Sequence, residues 1–226
     1  MKRLVPILAV AALCAGMLDA AALNGRVSFV TKRGQRPVAA ETLVWLEPVS
    51  ADAKLPRRAP MTFQMVTRGK MLLPHVLAIP VGSRVMFPND DPISHNLFSL
   101  SPGNTFDLGL YRRGAGKEHK FDDPGVVSVY CNVHPNMSAV IHVMQTPWYV
   151  FADQNGNYAF SEIPAGKYRL VAWNEQGGTT QTPVEVNGSG LVSGNLALTL
   201  DSRNYRVAQH LDKTGKPYQT SLAKDY

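Results

Sequence analysis

Apolar and polar residues alternate along much of this chain, and the alternation predicts β-strands. Residues 24–30 alternate with period two, as expected for a strand with one buried face. No segment keeps a helical period of apolar residues over ten positions or more. The predicted fold class is therefore all-β. Further strands are predicted at residues 37–46, 126–130, 148–151, 164–173, 183–186 and 191–200. Residues 76–87 form an apolar segment that is broken by a proline and a glycine.

A β-hairpin is predicted around residues 148–160. Asn155-Gly156 lies near its middle, and Asn-Gly is a strong signal for a tight hairpin turn. Residues 50–60, by contrast, are polar and rich in proline, as in a linker or a crossing loop. Residues 201–226 are also polar, and we predict an extended strap or a disordered tail there.

The first 22 residues resemble an export signal rather than part of a folded domain. Lys2 and Arg3 precede an uncharged apolar run at residues 4–18, and small residues follow it. The run is too short to span a bilayer comfortably. We predict a signal peptide at residues 1–22, cleavage near Ala22, a periplasmic protein, and no stable membrane insertion.

Charge and cysteine content limit the kinds of function that the chain could have. The formal net charge is +6, but no run of Lys and Arg interleaved with aromatic residues suggests nucleic acid as a partner. The two cysteines are Cys14 and Cys131, and signal cleavage would remove the first. A single cysteine in an exported chain forms no internal disulfide, so Cys131 is either a free thiol or a metal ligand.

Cys131, His134 and Met137 form a C-x2-H-x2-M motif directly after a predicted strand. A lone histidine or methionine is more often a surface or core residue, but their spacing from the sole cysteine favours a metal site. Soft sulfur together with imidazole indicates copper, because a thioether is a poor zinc ligand. A second histidine must come from elsewhere, and His95 is the candidate. Pro135 stiffens the loop that carries the motif.

No catalytic constellation is evident in the sequence. Ser128 and Ser138 lack a convincing base and acid in their sequence context. Four protein ligands would also leave a metal no open position for a substrate. We therefore predict that the protein is not an enzyme.

Two separated motifs resemble the cupredoxins, the small blue copper proteins. The resemblance covers residues 60–147, and the short ligand loop is most similar to the amicyanin branch and to bacterial cupredoxin-like proteins labelled methylamine-utilisation proteins. It implies a Greek-key β-barrel and one type 1 copper ion. It also implies His95, Cys131 and His134 in a trigonal plane with Met137 axial, and Asn96 joining the two ligand loops. The residues that carry it are Gly82, Val85, Phe87, Asn89, His95, Asn96, Gly125, Tyr130, Cys131, His134 and Met137.

The two ends of the chain resemble a carboxypeptidase regulatory-like, transthyretin-like β-sandwich. The opening half of that pattern is Gly25-Arg26-Val27, Gly34 and residues 37–40, and the closing half is at residues 153–160 and 164–170. Domain termini often lie close together, which permits insertion. The predicted division is a discontinuous immunoglobulin-like sandwich at residues 23–58 plus 148–200, a cupredoxin domain at residues 59–147 inserted in or joined to it, and a polar tail at residues 201–226.

The resemblance to the cupredoxins implies an exported single-electron carrier between periplasmic redox partners. A c-type cytochrome or a dehydrogenase is the expected kind of partner, reached through the edge of His134 beside Pro135 and residues 92–93. One alternative is copper handling, meaning delivery or tolerance without a dedicated redox partner. Another is an adhesion or scaffold module that has kept the fold, although a scaffold would not need all four ligands.

Overall fold

The computed structural model describes residues 21–50, 56–187, 190–207 and 209–218. Within these ranges the only helical element is a 3-10 turn at Ala39–Glu41, so the all-β prediction is confirmed. No helix in the described ranges is long and apolar enough to cross a membrane. Residues 1–20 of the predicted signal peptide lie outside the described residues.

The strands are numbered in chain order. The first nine are β1 (Ala21–Val30), β2 (Leu43–Pro48), β3 (Thr62–Gln64), β4 (Val66–Arg68), β5 (Met71–Leu73), β6 (Val76–Pro80), β7 (Arg84–Asn89), β8 (Leu97–Ser99) and β9 (Phe106–Asp107). The others are β10 (Gly114–Lys120), β11 (Gly125–Cys131), β12 (Ser138–Met144), β13 (Tyr149–Phe151), β14 (Asn157–Ile163), β15 (Gly166–Asn174), β16 (Gly178–Val186), β17 (Val192–Gly194) and β18 (Ala197–Asp201).

Two sheets, here called the outer sheets, are built from the two ends of the described chain. In one, β1 pairs antiparallel with β14 and parallel with β18. In the other, the strand order is β13-β2-β15-β16-β17. One hydrophobic cluster fills the space between them and contains residues from both ends of the chain. Its buried side chains include Leu23, Leu46, Ile163, Leu170 and Leu200. These strands alternate buried and exposed residues because each sheet has only one face on this core.

The central part of the chain forms two other sheets, here called the central sheets, with a core of their own. Their strand orders are β10-β7-β4-β5, with β3 added to β7, and β6-β12-β11-β8-β9. Phe87, Phe121 and Ile141 are fully buried between them. Among the described strands, β3–β12 pair only with one another. A small third cluster, in which Met144 and Tyr149 are buried, contains residues from both parts of the chain.

The structure differs from several of the local predictions. The predicted strand at residues 191–200 is two strands, β17 and β18. Within residues 37–46, Ala39–Glu41 form a 3-10 turn, and the strand begins only at Leu43. The predicted hairpin at residues 148–160 is wrong, because β13 and β14 belong to different sheets. Asn155-Gly156 does form a tight turn, with the Gly156 N–H donating to Asp153 O. The turn signal is local and does not determine which sheet the next strand joins.

Candidate metal centre

The end of β11 places Cys131 beside the segment that carries His95. Val127, Val129 and Cys131 alternate on the buried face of the strand, and all three side chains are 0% exposed. Cys131 is paired with Leu97 of β8, two residues after His95. The pleat of β11 therefore directs the thiol inward, and the ladder with β8 brings it next to the first imidazole.

The ligand loop, residues 131–137, closes back on itself. The Cys131 N–H donates to Met137 O at 3.1 Å, and the Met137 N–H donates to His134 O at 3.1 Å. Pro135 lies within this turn and restricts its backbone further. His134 is therefore held by a short, hydrogen-bonded loop.

Three potential ligand atoms converge in this buried region. The Cys131 Sγ is 3.6 Å from Nδ1 of His95 and 3.6 Å from Nδ1 of His134. All three ligand atoms lie within 4.8 Å of one another. Metal bonds of about 2.0–2.3 Å, typical of nitrogen and sulfur ligands, separate neighbouring ligand atoms by about 3.5–3.8 Å. Both sulfur–nitrogen distances lie in this range, so the cluster suits one metal ion held by Cys131 and the two histidines.

A buried carboxylate orients His95. Asp91 Oδ2 is 2.9 Å from His95 Nε2, and the His95 ring is 0% exposed. A carboxylate only accepts hydrogen bonds, so Nε2 carries the proton and Nδ1 keeps a free lone pair toward the cysteine. Asp91 is held in turn by the N–H groups of Gly69 and Lys70. Burial acts to raise the pKa of Asp91, but those N–H groups and His95 together hold it below its usual value.

His134 is a neutral imidazole in this environment. Burial is the main cause that lowers its pKa to about 4, and the neighbouring His95 adds to the effect. The Nε2 atom of His134 is buried, and no hydrogen-bond partner is present for it among the described residues. A neutral ring with Nδ1 facing the thiol is the form that a metal requires.

The other predicted site residues lie around this cluster. The Met137 side chain is 1% exposed and belongs to the same hydrophobic cluster as Cys131, and its role as a ligand stays a prediction. The backbone of Asn96 joins the two ligand segments, because Asn96 O accepts from the Asn132 N–H at 2.8 Å. The Asn96 side chain instead donates to Asp107 Oδ1 at 2.5 Å.

A surface cavity of about 520 Å³ borders the site on the side of His134. His134 itself is 8% exposed, whereas Leu110 at the rim is 64% exposed. The predicted exit beside residues 92–93 therefore opens onto a largely apolar surface. Pro92, Ile93, Leu110, Val133, His134 and Tyr218 are among the lining residues.

Two residues that contact the site, Asp91 and Tyr218, are not predicted from the sequence. Asp91 precedes His95 by four residues in an Asp-Asp pair, but nothing local distinguishes it from its exposed neighbour Asp90. Tyr218 belongs to the polar tail, yet its hydroxyl donates to Cys131 O at 2.7 Å. Both contacts depend on backbone placement that residue spacing does not reveal.

Comparisons with known proteins give partial similarities. No protein-family pattern matches the sequence, and no curated protein matches it. Among solved structures, a purple cupredoxin from Nitrosopumilus maritimus is 29% identical, covers 36% of this chain and 99% of its own, and has a TM-score of 0.33. A reduced amicyanin variant is 16% identical, with coverage of 44% and 98% and a TM-score of 0.35.

A copper-containing nitrite reductase from Thermus scotoductus is 26% identical over 53% of this chain, with a TM-score of 0.33. The match spans only 28% of that reductase. With TM-scores this low, these similarities do not establish the function of this chain. The resemblance of the chain's ends to a transthyretin-like sandwich, and the domain boundaries drawn from it, stay predictions.

Proposed function

We propose that the protein is an exported type 1 copper protein that carries single electrons between periplasmic redox partners. The observation that carries this proposal is the Cys131 sulfur placed 3.6 Å from Nδ1 of both His95 and His134. A thiolate and two imidazoles, with a thioether in the same loop, suit copper in both of its common oxidation states. When bound, copper supplies a reversible one-electron change.

Each ligand has its own part in this proposal. Cys131, His95 and His134 would hold the ion, and Met137 would be a weaker fourth ligand. Zinc suits this set less well, because a thioether is a poor ligand for zinc. Four protein ligands leave no open position for a substrate, so we propose a carrier rather than an enzyme.

The surrounding backbone supports electron transfer because it holds the ligands still. Cys131 ends a strand, two main-chain hydrogen bonds close the ligand loop, and Asp91 fixes the ring of His95. Ligands that keep their positions when the charge at the site changes need little rearrangement. A preorganised site of this kind keeps the barrier to electron transfer low.

The edge of His134 is the proposed route by which electrons leave. This ring lies between the buried thiol and the apolar cavity, and Leu110 is exposed beside it. An exposed apolar surface of this kind suits a transient partner that exposes a similar patch around its own redox group. A c-type cytochrome or a dehydrogenase has this chemistry.

The experiment is a visible and electron-spin-resonance spectrum of the copper-loaded chain expressed from Ala21. We expect one copper per chain and an intense thiolate-to-copper band that disappears in Cys131→Ser. His134→Gln should weaken or abolish the band. His119→Gln is the matched control, because His119 stacks on Phe106 away from the ligand cluster and its loss should leave the spectrum unchanged. A colourless Cu(II) form, or colour that survives Cys131→Ser, contradicts the proposal.

Copper handling is separated from electron transfer by two further measurements. Burial of the His95 and Cys131 side chains, both 0% exposed, favours slow exchange of a bound ion. A carrier should therefore give fast, reversible voltammetry and slow copper loss to a chelator. Rapid exchange with a strong preference for Cu(I) would instead indicate delivery or tolerance.

A further inference from the structure

The last described residues of the chain cross the copper-ligand region. Residues 209–218, here called the C-terminal strap, follow β18 of the outer sheets but contact the central part of the chain. The Tyr218 hydroxyl donates to Cys131 O at 2.7 Å. The Lys213 N–H donates to Asn132 Oδ1 at 2.9 Å. The strap therefore bonds to the first two residues of the ligand loop.

The strap also reaches the segment that carries His95. Lys213 Nζ is 2.7 Å from Asp107 Oδ2, and the other oxygen of Asp107 accepts from the Asn96 side chain. Burial acts to raise the pKa of Asp107, but the hydrogen bonds from Lys213 and Asn96 lower it to about 2. Asp107 is thus an anion held between the strap and the residue that follows His95.

Ring packing adds a third contact. The ring of His210 stacks on Tyr130 with a centroid separation of 4.3 Å, and Tyr130 directly precedes Cys131. His210 also meets Tyr218 edge-on at 5.4 Å. The strap therefore contacts three consecutive residues: the ring of Tyr130, the carbonyl oxygen of Cys131 and the side chain of Asn132.

We propose that the C-terminal strap clamps both ligand segments, with Tyr218 and Lys213 as positioning residues for the copper site. This inference rests on the proposed function. The strap fixes the peptide that follows Cys131 and keeps the two ligand segments in register, so that a bound ion is released slowly. Tyr218 has the larger effect, because Lys213 and Asp107 are 39% and 41% exposed and an exposed ion pair contributes little.

The test compares copper release and spectra among single variants of the full chain. Tyr218→Phe removes one neutral hydrogen bond, which corresponds to about a three- to tenfold faster loss of copper to a chelator. Removal of a donor from the Cys131 carbonyl leaves more electron density on the cysteine, so the reduction potential should shift downward. Lys213→Met should change both readouts in the same direction by a smaller amount.

Tyr168→Phe is the matched control for a general loss of stability. Its hydroxyl donates to Pro164 O at 2.9 Å, the same kind of bond, but within the outer sheets. We expect wild-type copper release and potential for this variant. Thermal unfolding of the copper-free proteins checks that all of them fold.

The outcomes distinguish this inference from the proposed function. Wild-type release rate and potential in Tyr218→Phe would overturn the clamp while leaving the copper site intact. Equal changes in Tyr168→Phe and Tyr218→Phe would also overturn it, because the effect would then be one of overall stability. Absence of a thiolate-to-copper band in the wild-type protein would instead remove the proposed function itself.

Discussion

His75 and Glu175 form a contact between the central sheets and the outer sheets. His75 Nε2 lies 2.6 Å from Glu175 Oε2, and His75 Nδ1 lies 3.1 Å from the carbonyl oxygen of Ser138. Both partners are acceptors, so the ring satisfies them together only when both of its nitrogens carry protons. The contact joins the strand after the ligand loop to the turn between β15 and β16.

The first prediction concerns pH. The hydrogen bond to Glu175 is the main cause that raises the pKa of His75; burial opposes it, and Glu41 adds to it. A raised folded-state pKa means that the stabilisation is complete below the unfolded value of about 6.5 and is lost as pH rises through the folded value. Because the His75 and Glu175 side chains are partly exposed, their contribution to the unfolding free energy is limited to about 0.5–1 kcal/mol.

Urea unfolding of the copper-free protein at several pH values measures this effect. The difference in unfolding free energy between wild type and His75→Gln should shrink as the pH rises above about 6.5. Glu175→Gln should reproduce the behaviour of His75→Gln, and the double variant should add nothing further. A difference that does not change with pH would contradict the prediction.

The second prediction concerns the carboxylate behind His95. Asp91→Asn removes the negative charge that His95 Nε2 faces, and loss of such a partner typically weakens metal binding by about 10- to 100-fold. The reduction potential should rise, because the oxidised ion loses more stabilisation than the reduced ion. Competitive copper titration and voltammetry measure the two effects.

Asp90→Asn is the control for Asp91→Asn. Asp90 is the adjacent acid, but its carboxylate pairs with the exposed Arg68 at 2.7 Å. Copper affinity and potential should stay at wild-type values in this variant. Equal effects from the two substitutions would show that only the net charge near the site matters.

The third prediction concerns two buried tyrosine hydroxyls. The Tyr111 hydroxyl is buried without a hydrogen-bond partner in the described part of the chain, whereas Tyr158 donates to Leu196 O at 2.8 Å. An unsatisfied buried hydroxyl is unfavourable, so Tyr111→Phe should raise the unfolding free energy by about 1 kcal/mol. Tyr158→Phe should lower it by about the same amount. Chemical denaturation tests the pair, and a loss of stability in Tyr111→Phe would refute the expectation.

The fourth prediction compares two turn glycines. Gly156 and Gly34 have φ of +83° and +87°, but an added Cβ at Gly156 would lie 2.2 Å from Val27 O, whereas nothing lies within 4 Å at Gly34. Gly34→Ala should therefore lower the unfolding free energy by only about 1 kcal/mol, because alanine is disfavoured at positive φ. In Gly156→Ala the added Cβ also collides with the main-chain oxygen of Val27, so the unfolding free energy should fall by at least about 2 kcal/mol more. Similar losses of unfolding free energy at the two positions would contradict the collision.

Local features of the sequence predict much of the fold and the centre of the site. The period-two pattern predicts several of the strands, although not β10 or β12. The C-x2-H-x2-M spacing selects Cys131 and His134 for one short loop. The donor chemistry requires a second histidine, the resemblance to the cupredoxins points to His95, and the structure brings its Nδ1 to the same sulfur. These features depend on neighbours in sequence or on the donor chemistry of a metal.

The remaining features depend on tertiary placement. Asp91 and Asp90 are identical in type and adjacent in sequence, and only the fold decides which one faces His95. The sequence predicts the turn at Asn155-Gly156. The strand that follows it, β14, joins a different sheet because it pairs with β1. Tyr218 reaches Cys131 across 87 positions, a separation that no local pattern encodes.

The pairing of β1 has a consequence for synthesis of the protein. This strand emerges first among the described ones, yet its partners β14 and β18 are translated more than a hundred residues later. Such non-local pairing is slow to form, because a long loop must close first. Both edges of β1 stay open on the nascent chain until then, and a product that stops before residue 157 would keep them open and prone to aggregation.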